Sequence, residues 1–335
     1  MNDITVNTSS RRIPDSLNRK LTTYLLRWES ILFLVIIAVF IFNSFASPYF
    51  LDPWNLSDAT FNFTEKALIA LPMALLIIVR EIDISVASIM ALSSVIMGLL
   101  AQAGMPVPVI VVAGILVGGG CGLFNGLLVT TFQIPSIVVT IGTMSLFRGI
   151  GYIILGDGAL RDYPDLFAYF GQGYVVWVFS FELVFFLLAA IAFYILLHRT
   201  NFGRYTYAIG NNPVAALYSG IKVKKHKLIL FTLVGIFSGI ASVMLTSRLG
   251  STRPSIAFGW ELTIVTMVVL GGVNILGGKG SIPGVVLAAL LMGLVTFGLG
   301  LLNVPGIVMT IIIGLMLITV VSLPALIERL KGTAH

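Results

Sequence analysis

Three histidines and a single cysteine are the chain's supply of soft metal ligands and strong nucleophiles. His198, His226 and His335 are scattered, with no clustered Cys, Asp or Glu at ligand spacing, so no metal centre is expected. Cys121 stands alone in an apolar, glycine-rich run, which excludes a disulfide within the chain. No serine pairs with a histidine inside one apolar run, as a hydrolytic nucleophile and its base require. The run Leu270–Gly284 contains Gly277-Gly278-Lys279-Gly280, yet it lacks the G-x-x-x-x-G-K-[ST] spacing that cradles phosphates, and no soluble strand precedes it. It reads as a sharp re-entry between two apolar runs, where glycine allows positive φ and close packing. No cofactor is expected on this chain.

What remains is a set of polar side chains inside apolar runs: Asn125, Thr140, Thr143, Arg148, Trp260 and Asn274. All but Arg148 are neutral, and hydrogen-bonding neutral groups along a path suit an uncharged polyol or sugar. An arginine within a span costs about 2.5–3.5 kcal/mol on insertion scales, so Arg148 must pair, snorkel or face water. Glu65, Asp83, Glu182 and Glu261 fall near the ends of the runs and form no evident proton relay. That weighs against the competing reading, an ion-coupled secondary transporter of a small polar solute.

Composition dictates where such residues can sit. Of 335 residues 58% are hydrophobic and 10% charged, against about 25% charged in an average soluble protein. Such a chain cannot cover a globular surface with polar groups, so an all-α, polytopic membrane protein is expected. The formal net charge of +6 lies in short loops between apolar runs, which does not indicate nucleic-acid binding.

Ten candidate spans follow from the apolar runs: 30–48, 65–80, 84–102, 107–131, 137–155, 174–197, 228–248, 260–273, 282–301 and 305–324. The pieces 65–80 and 260–273 are short against the ~20 residues that cross a bilayer, so they are candidates for tilted or re-entrant segments. An eight-span arrangement that drops one inverted pair stays open. With both termini inside, fifteen of the twenty basic residues fall on the cytoplasmic side, as the positive-inside rule expects. The domain organisation is then a cytoplasmic segment 1–29, which includes an interfacial helix through Leu17–Trp28, a membrane domain 30–325 and a cytoplasmic tail 326–335. Gly114, Gly118, Gly122 and Gly126 make a smooth ridge on one helix, and Gly235 with Gly239 a second small patch; both are packing signals.

The longest polar interval is the basic loop 199–227, with Arg199, Arg204, Lys222, Lys224, Lys225 and Lys227. Inside it Pro213–Ser219 can form two helical turns, capped by Asn211 or Asn212 and ended by Gly220. The string Gly203-Arg204, Ala208-Ile209-Gly210-Asn211, Ala215-Ala216, Ser219-Gly220-Ile221 and Lys227 resembles the coupling-helix loop of ribose-type sugar ABC importer permeases. Leu270–Gly284 resembles that family's glycine-rich turn, and Pro135 through Val139-Thr140-Ile141-Gly142-Thr143 resembles its Pro-to-Gly-Thr stretch. Within the family the overall look is nearest the rhamnose and autoinducer-2 branches.

The resemblance implies a type II ABC importer-like permease in a bacterial inner membrane, with ATP-Mg on separate ABC ATPase subunits. Gly210, Asn211, Pro213, Ala215, Ala216, Ser219, Gly220 and Ile221 would meet the ATPase. A periplasmic solute-binding protein would dock on the outer loops that carry Arg161, Arg248 and Arg253. A second permease chain is also implied. Arg80, Glu81 and Ala87 stand where the resembled family has glycines around Ile-Asp-Leu-Ser. That departure favours a heterodimer with a paralogue over a homodimer.

Overall fold

A computed structural model describes residues 28–61 and 63–332, so the expected interfacial helix at Leu17–Trp28 lies almost wholly outside the described residues. The chain opens with α1 (Trp28–Ala46), α2 (Pro53–Phe61) and α3 (Thr64–Ile78), the last two bent by 49° to one another. α4 (Val86–Gln102), α5 (Val107–Phe132) and α6 (Ser136–Leu155) follow. A 3₁₀ turn at Asp165–Ala168, α7 (Tyr169–Gln172) and a hairpin of β1 (Tyr174–Val176) and β2 (Phe179–Ser180) then lead to α8 (Phe181–Arg199). The rest comprises α9 (Asn201–Asn211), α10 (Pro213–Tyr218), α11 (Val223–Leu249), α12 (Trp260–Leu270), α13 (Ile282–Leu301) and α14 (Gly306–Gly332).

α3 is the centre. Every residue of it except Lys66 is buried, which explains why its sequence is apolar on all sides and why it is short. α11 runs beside it, and α5 lies across α11 at the two glycine patches. A Cβ on Gly118 would stand 2.8 Å from the Gly239 Cα, and one on Gly122 would stand 2.9 Å from the Gly235 Cα. The two small-residue patches therefore pack against one another, backbone to backbone.

Among the described residues six helices (α1, α5, α6, α8, α11 and α13) are long and apolar enough to cross a membrane, and α2 with α3 makes up to seven. Three shorter apolar helices, α4, α12 and Gly306–Met316, fall below that length. Length and composition alone thus reach seven spans, not ten, because an eleven-residue helix such as α12 rises only about 16 Å against a core of about 30 Å. The outward faces carry Phe45, Leu116 and Ile153 at 90%, 68% and 86% exposure, side chains that belong in lipid.

Two boundaries differ from the sequence reading. The span expected at 174–197 begins as the hairpin, where Tyr174 pairs with Ser180, and turns helical only at Phe181. The loop 199–227 contains α9 as well as the expected short helix.

Candidate functional site

The most densely connected stretch is the turn between α3 and α4, Val79–Ser85. Ile82 N–H donates to Ser136 Oγ at 3.1 Å, and Thr140 Oγ1 approaches Ile82 O at 3.5 Å, which fastens α6 to the turn. Asp83 is fully buried and accepts from Ser85 N–H at 2.8 Å and Ser85 Oγ at 2.6 Å. Asn125, also fully buried, reaches across from α5 and donates to Asp83 Oδ2 at 3.1 Å and Ser85 Oγ at 2.8 Å. Asn125 thus bridges helices at this turn. A buried carboxylate without several donors would be very costly, and these donors account for its being there.

The same turn holds the polar loop. Arg80 has φ 68°, a left-handed conformation that costs a non-glycine residue roughly 1 kcal/mol. Its guanidinium donates from Nε to Gly210 O at 2.7 Å and from Nη2 to Asn211 O at 2.8 Å. These are orphan carbonyls at the C-terminus of α9, where a cation is favoured. Glu81 pairs with Lys227 Nζ near the start of α11. The glycine-rich turn closes the junction: Gly278 N–H donates to Ile78 O at 2.9 Å, and Tyr207 on α9 donates from its hydroxyl to Gly280 O at 2.7 Å. Burial raises the Tyr207 phenol above the usual tyrosine range, so it stays a neutral donor.

α10 forms for local reasons. Asn212 Oδ1 accepts from Val214 N–H and Ala215 N–H, both at 3.0 Å, Pro213 stands at the first helical position, and Gly220 has φ 83°. Asn211 takes no part in that cap; its amide donates to Tyr207 O at 2.9 Å. Ala216 is buried, whereas Val214, Leu217 and Tyr218 are 59%, 59% and 87% exposed. Sequence reading had favoured Ala215 and Ala216 and passed over these three. Their signal was three large side chains on a predicted two-turn helix within an otherwise polar loop. Ser219 turns back on its own helix and donates to Ala215 O at 2.9 Å, and the Ile221 N–H donates to Ala216 O at 3.1 Å.

α9 was missed because its sequence is polar overall. Thr200 caps it by accepting from Gly203 N–H, and Gly203, Thr206, Ile209 and Gly210 make a buried stripe at helical spacing.

At the opposite end of α3, Glu65 is fully buried and bound two-handedly by Arg248 of α11, Nε to Oε1 at 2.8 Å and Nη2 to Oε2 at 3.1 Å. Glu182, at the start of α8, is fully buried beside them, and neither of its carboxyl oxygens has a hydrogen-bond partner. The Lys66 ammonium sits 4.3 Å from the Trp260 ring centroid. Trp260 lines two cavities, of about 460 Å³ with Arg248 and Arg253 in the wall, and of about 220 Å³ with Lys66.

The remaining sequence-selected residues separate. Arg148 donates to Pro254 O at 2.8 Å and Ile256 O at 3.3 Å, so it is satisfied by backbone carbonyls and holds the segment before α12. Thr143 is buried and turned inward, within 3.4 Å of Thr140 O. Asn274 lies in the glycine-rich turn, where its Oδ1 accepts from Leu276 N–H at 2.9 Å. Arg161 and Arg253 are exposed and flank a backbone bridge between Leu160 and Thr252, so two loops distant in sequence meet there. Arg248 shares a cavity wall with Arg253 but is engaged with Glu65. Among the described residues no cluster of His, Cys, Asp or Glu could hold a metal.

Apolar helices on all sides, internal charge pairs and a polar loop clamped at one end define a multi-pass membrane protein of the transport kind. Residues 55–321 match the family described as branched-chain amino acid transport system / permease component, and the chain belongs to that family. It is 34% identical to the ribose import permease protein of Bacillus subtilis, over 90% of this chain and 91% of that one. It is 35% identical to the autoinducer 2 import system permease protein of Klebsiella pneumoniae (88% and 91% covered). It is 34% identical to the D-allose transport system permease protein of Escherichia coli (89% and 91% covered). No solved structure matches the chain significantly. Like these relatives, the protein is a permease-type transport subunit and not an enzyme.

Proposed function

We propose that this chain is the membrane permease of a binding-protein-dependent ABC importer and moves a sugar or sugar-like neutral solute inward by ATP-driven alternating access. The observation that carries the reading is α10. A two-turn helix held firmly at its base and displaying Val214, Leu217 and Tyr218 to solvent is built to seat in a groove on another protein. Its partner is an ABC ATPase that binds ATP-Mg, and the loop 199–227 lies on the cytoplasmic side together with both termini. The short helices α4, α12 and Gly306–Met316, lined up with seven longer spans, make ten in a bacterial inner membrane. A periplasmic solute-binding protein docks near Arg161 and Arg253, which sit together at the opposite end. A second permease chain, by preference a paralogue, completes the path.

Purification from mild detergent with mass spectrometry of the companions tests this. An ATPase that co-purifies with the wild type and is lost from Leu217→Asp is the expected result. The buried Glu65, Glu182 and Arg248 group supports a second reading, a secondary transporter, since intramembrane charges often serve ion coupling. A lone protein whose uptake collapses with the proton gradient and ignores Leu217→Asp would favour it.

A further inference from the structure

The loop 199–227 is gripped on both sides of α10 by adjacent residues of one turn. Arg80 binds the last two carbonyls of α9, immediately before Asn212, and Glu81 binds Lys227, just after α11 has begun. Between those grips α10 has one buried side chain, Ala216, and its other residues are half-buried or exposed. α9 has a further tie to α11 through Thr206 Oγ1 and His226 Nε2 at 2.9 Å. The glycine-rich turn braces the Arg80 side chain from behind: a Cβ on Gly277 would overlap Arg80 Cγ, so nothing larger than glycine leaves the arginine its present course.

We infer that Arg80 and Glu81 form a two-point latch that positions α10 and carries its displacement into the α3–α4 turn, so that motion reaches α5 and α6 as well as α11. The route beyond the latch is short and polar. Ser136 and Thr140 fasten the turn to α6, and Asn125 fastens it to α5 through Asp83. A push on α10 from a partner is thereby delivered to three long helices at one point. Without the latch, α10 would be joined to α11 only through the short turn 219–222. Arg80 and Glu81 are positioning residues here, and the inference rests on reading α10 as the helix that meets the ATPase.

Two measurements on the full chain decide it. In hydrogen exchange of the purified permease in nanodiscs, amides of 214–220 should exchange about tenfold faster in Glu81→Lys, because a charge-assisted contact is removed and a like charge faces Lys227. Arg80→Gly suits the left-handed backbone while removing the whole side chain and its two contacts to α9, so it should show the same acceleration with the rest of the chain unchanged. The charge swap Glu81→Lys with Lys227→Glu should return the rate to wild type. Unchanged exchange in both single variants overturns the latch.

In proteoliposomes holding the complete importer, Glu81→Lys should lower solute uptake per ATP hydrolysed about tenfold, and the swap should restore it. Uptake and hydrolysis falling together in fixed proportion would show a structural staple only, and the transmission claim would be wrong. If no ATPase accompanies the wild-type chain, the importer reading and the transmission claim fail together, and the exchange experiment still judges the grip on α10.

Discussion

α3 is tied to α11 at both ends by an ion pair, and the two pairs could hardly be set more differently. Glu65–Arg248 is two-handed, its carboxylate is fully buried although the arginine keeps 25% of its side-chain surface, and a second buried carboxyl, Glu182, lies beside it. Glu81–Lys227 is a single contact between side chains that keep 11% and 20% of their surface. The first sits within packed helices; the second sits in a turn next to a solvent-exposed helix. A buried pair holds its helices in one arrangement, since parting the charges strands them away from water. A single contact between two partly accessible side chains parts at smaller cost than a two-handed one to a fully buried carboxylate. The difference assigns a fixed end and a movable end to the same two helices.

Breaking the buried pair should have the largest effect. Arg248→Met strips Glu65 of its two-handed partner beside the unpaired Glu182 and should destabilise the protein by about 3–5 kcal/mol, read as a lowered thermal midpoint in detergent. Adding Glu65→Gln should recover most of that loss; no recovery would mean that Arg248 matters through packing alone. Arg148→Ala should come next, at about 1.5–3 kcal/mol, because the carbonyls of Pro254 and Ile256 lose a charged donor. Its unfolding curve is compared with that of Arg148→Lys, which keeps the charge but has one nitrogen for the two carbonyls and should fall between.

At the movable end Glu81→Gln should cost about 1 kcal/mol or less. Raising salt from about 0.05 to about 0.5 M should erode the Glu81–Lys227 contribution and spare Glu65–Arg248, because a buried pair is screened much less. Equal salt sensitivity of the two would break the comparison. Leu217→Asp should be smallest in stability, within about 0.5 kcal/mol, since the side chain is 59% exposed, while ATPase capture is abolished.

Legibility followed distance along the chain. α10 was readable because each of its signals acts within four residues: Asn212 at the cap, Pro213 at the first position and Gly220 at positive φ. The α5 glycine ridge was readable as a packing face, though its partner was not. α9 escaped because a short amphipathic helix among lysines and arginines looks like loop, and only its buried stripe of Gly203, Thr206, Ile209 and Gly210 reveals it. Glu65 and Glu182, placed at span ends by the sequence, proved fully buried, because helix ends that meet other helices are not helix ends that meet water.

Residue types and their order suffice for the class of protein and its local devices. A chain with 10% charged residues has no soluble alternative, and caps, glycines and the family strings are written in neighbouring residues. Which charges face one another depends on how the helices pack. Arg80 meets Gly210 across 130 positions, Glu81 meets Lys227 across 146, and Glu65 meets Arg248 across 183. A charged side chain carries no local mark of its partner, since Coulomb attraction depends on separation in space and on the surrounding dielectric. Both are set only when the apolar helices have packed and excluded water from some pairs and left it beside others.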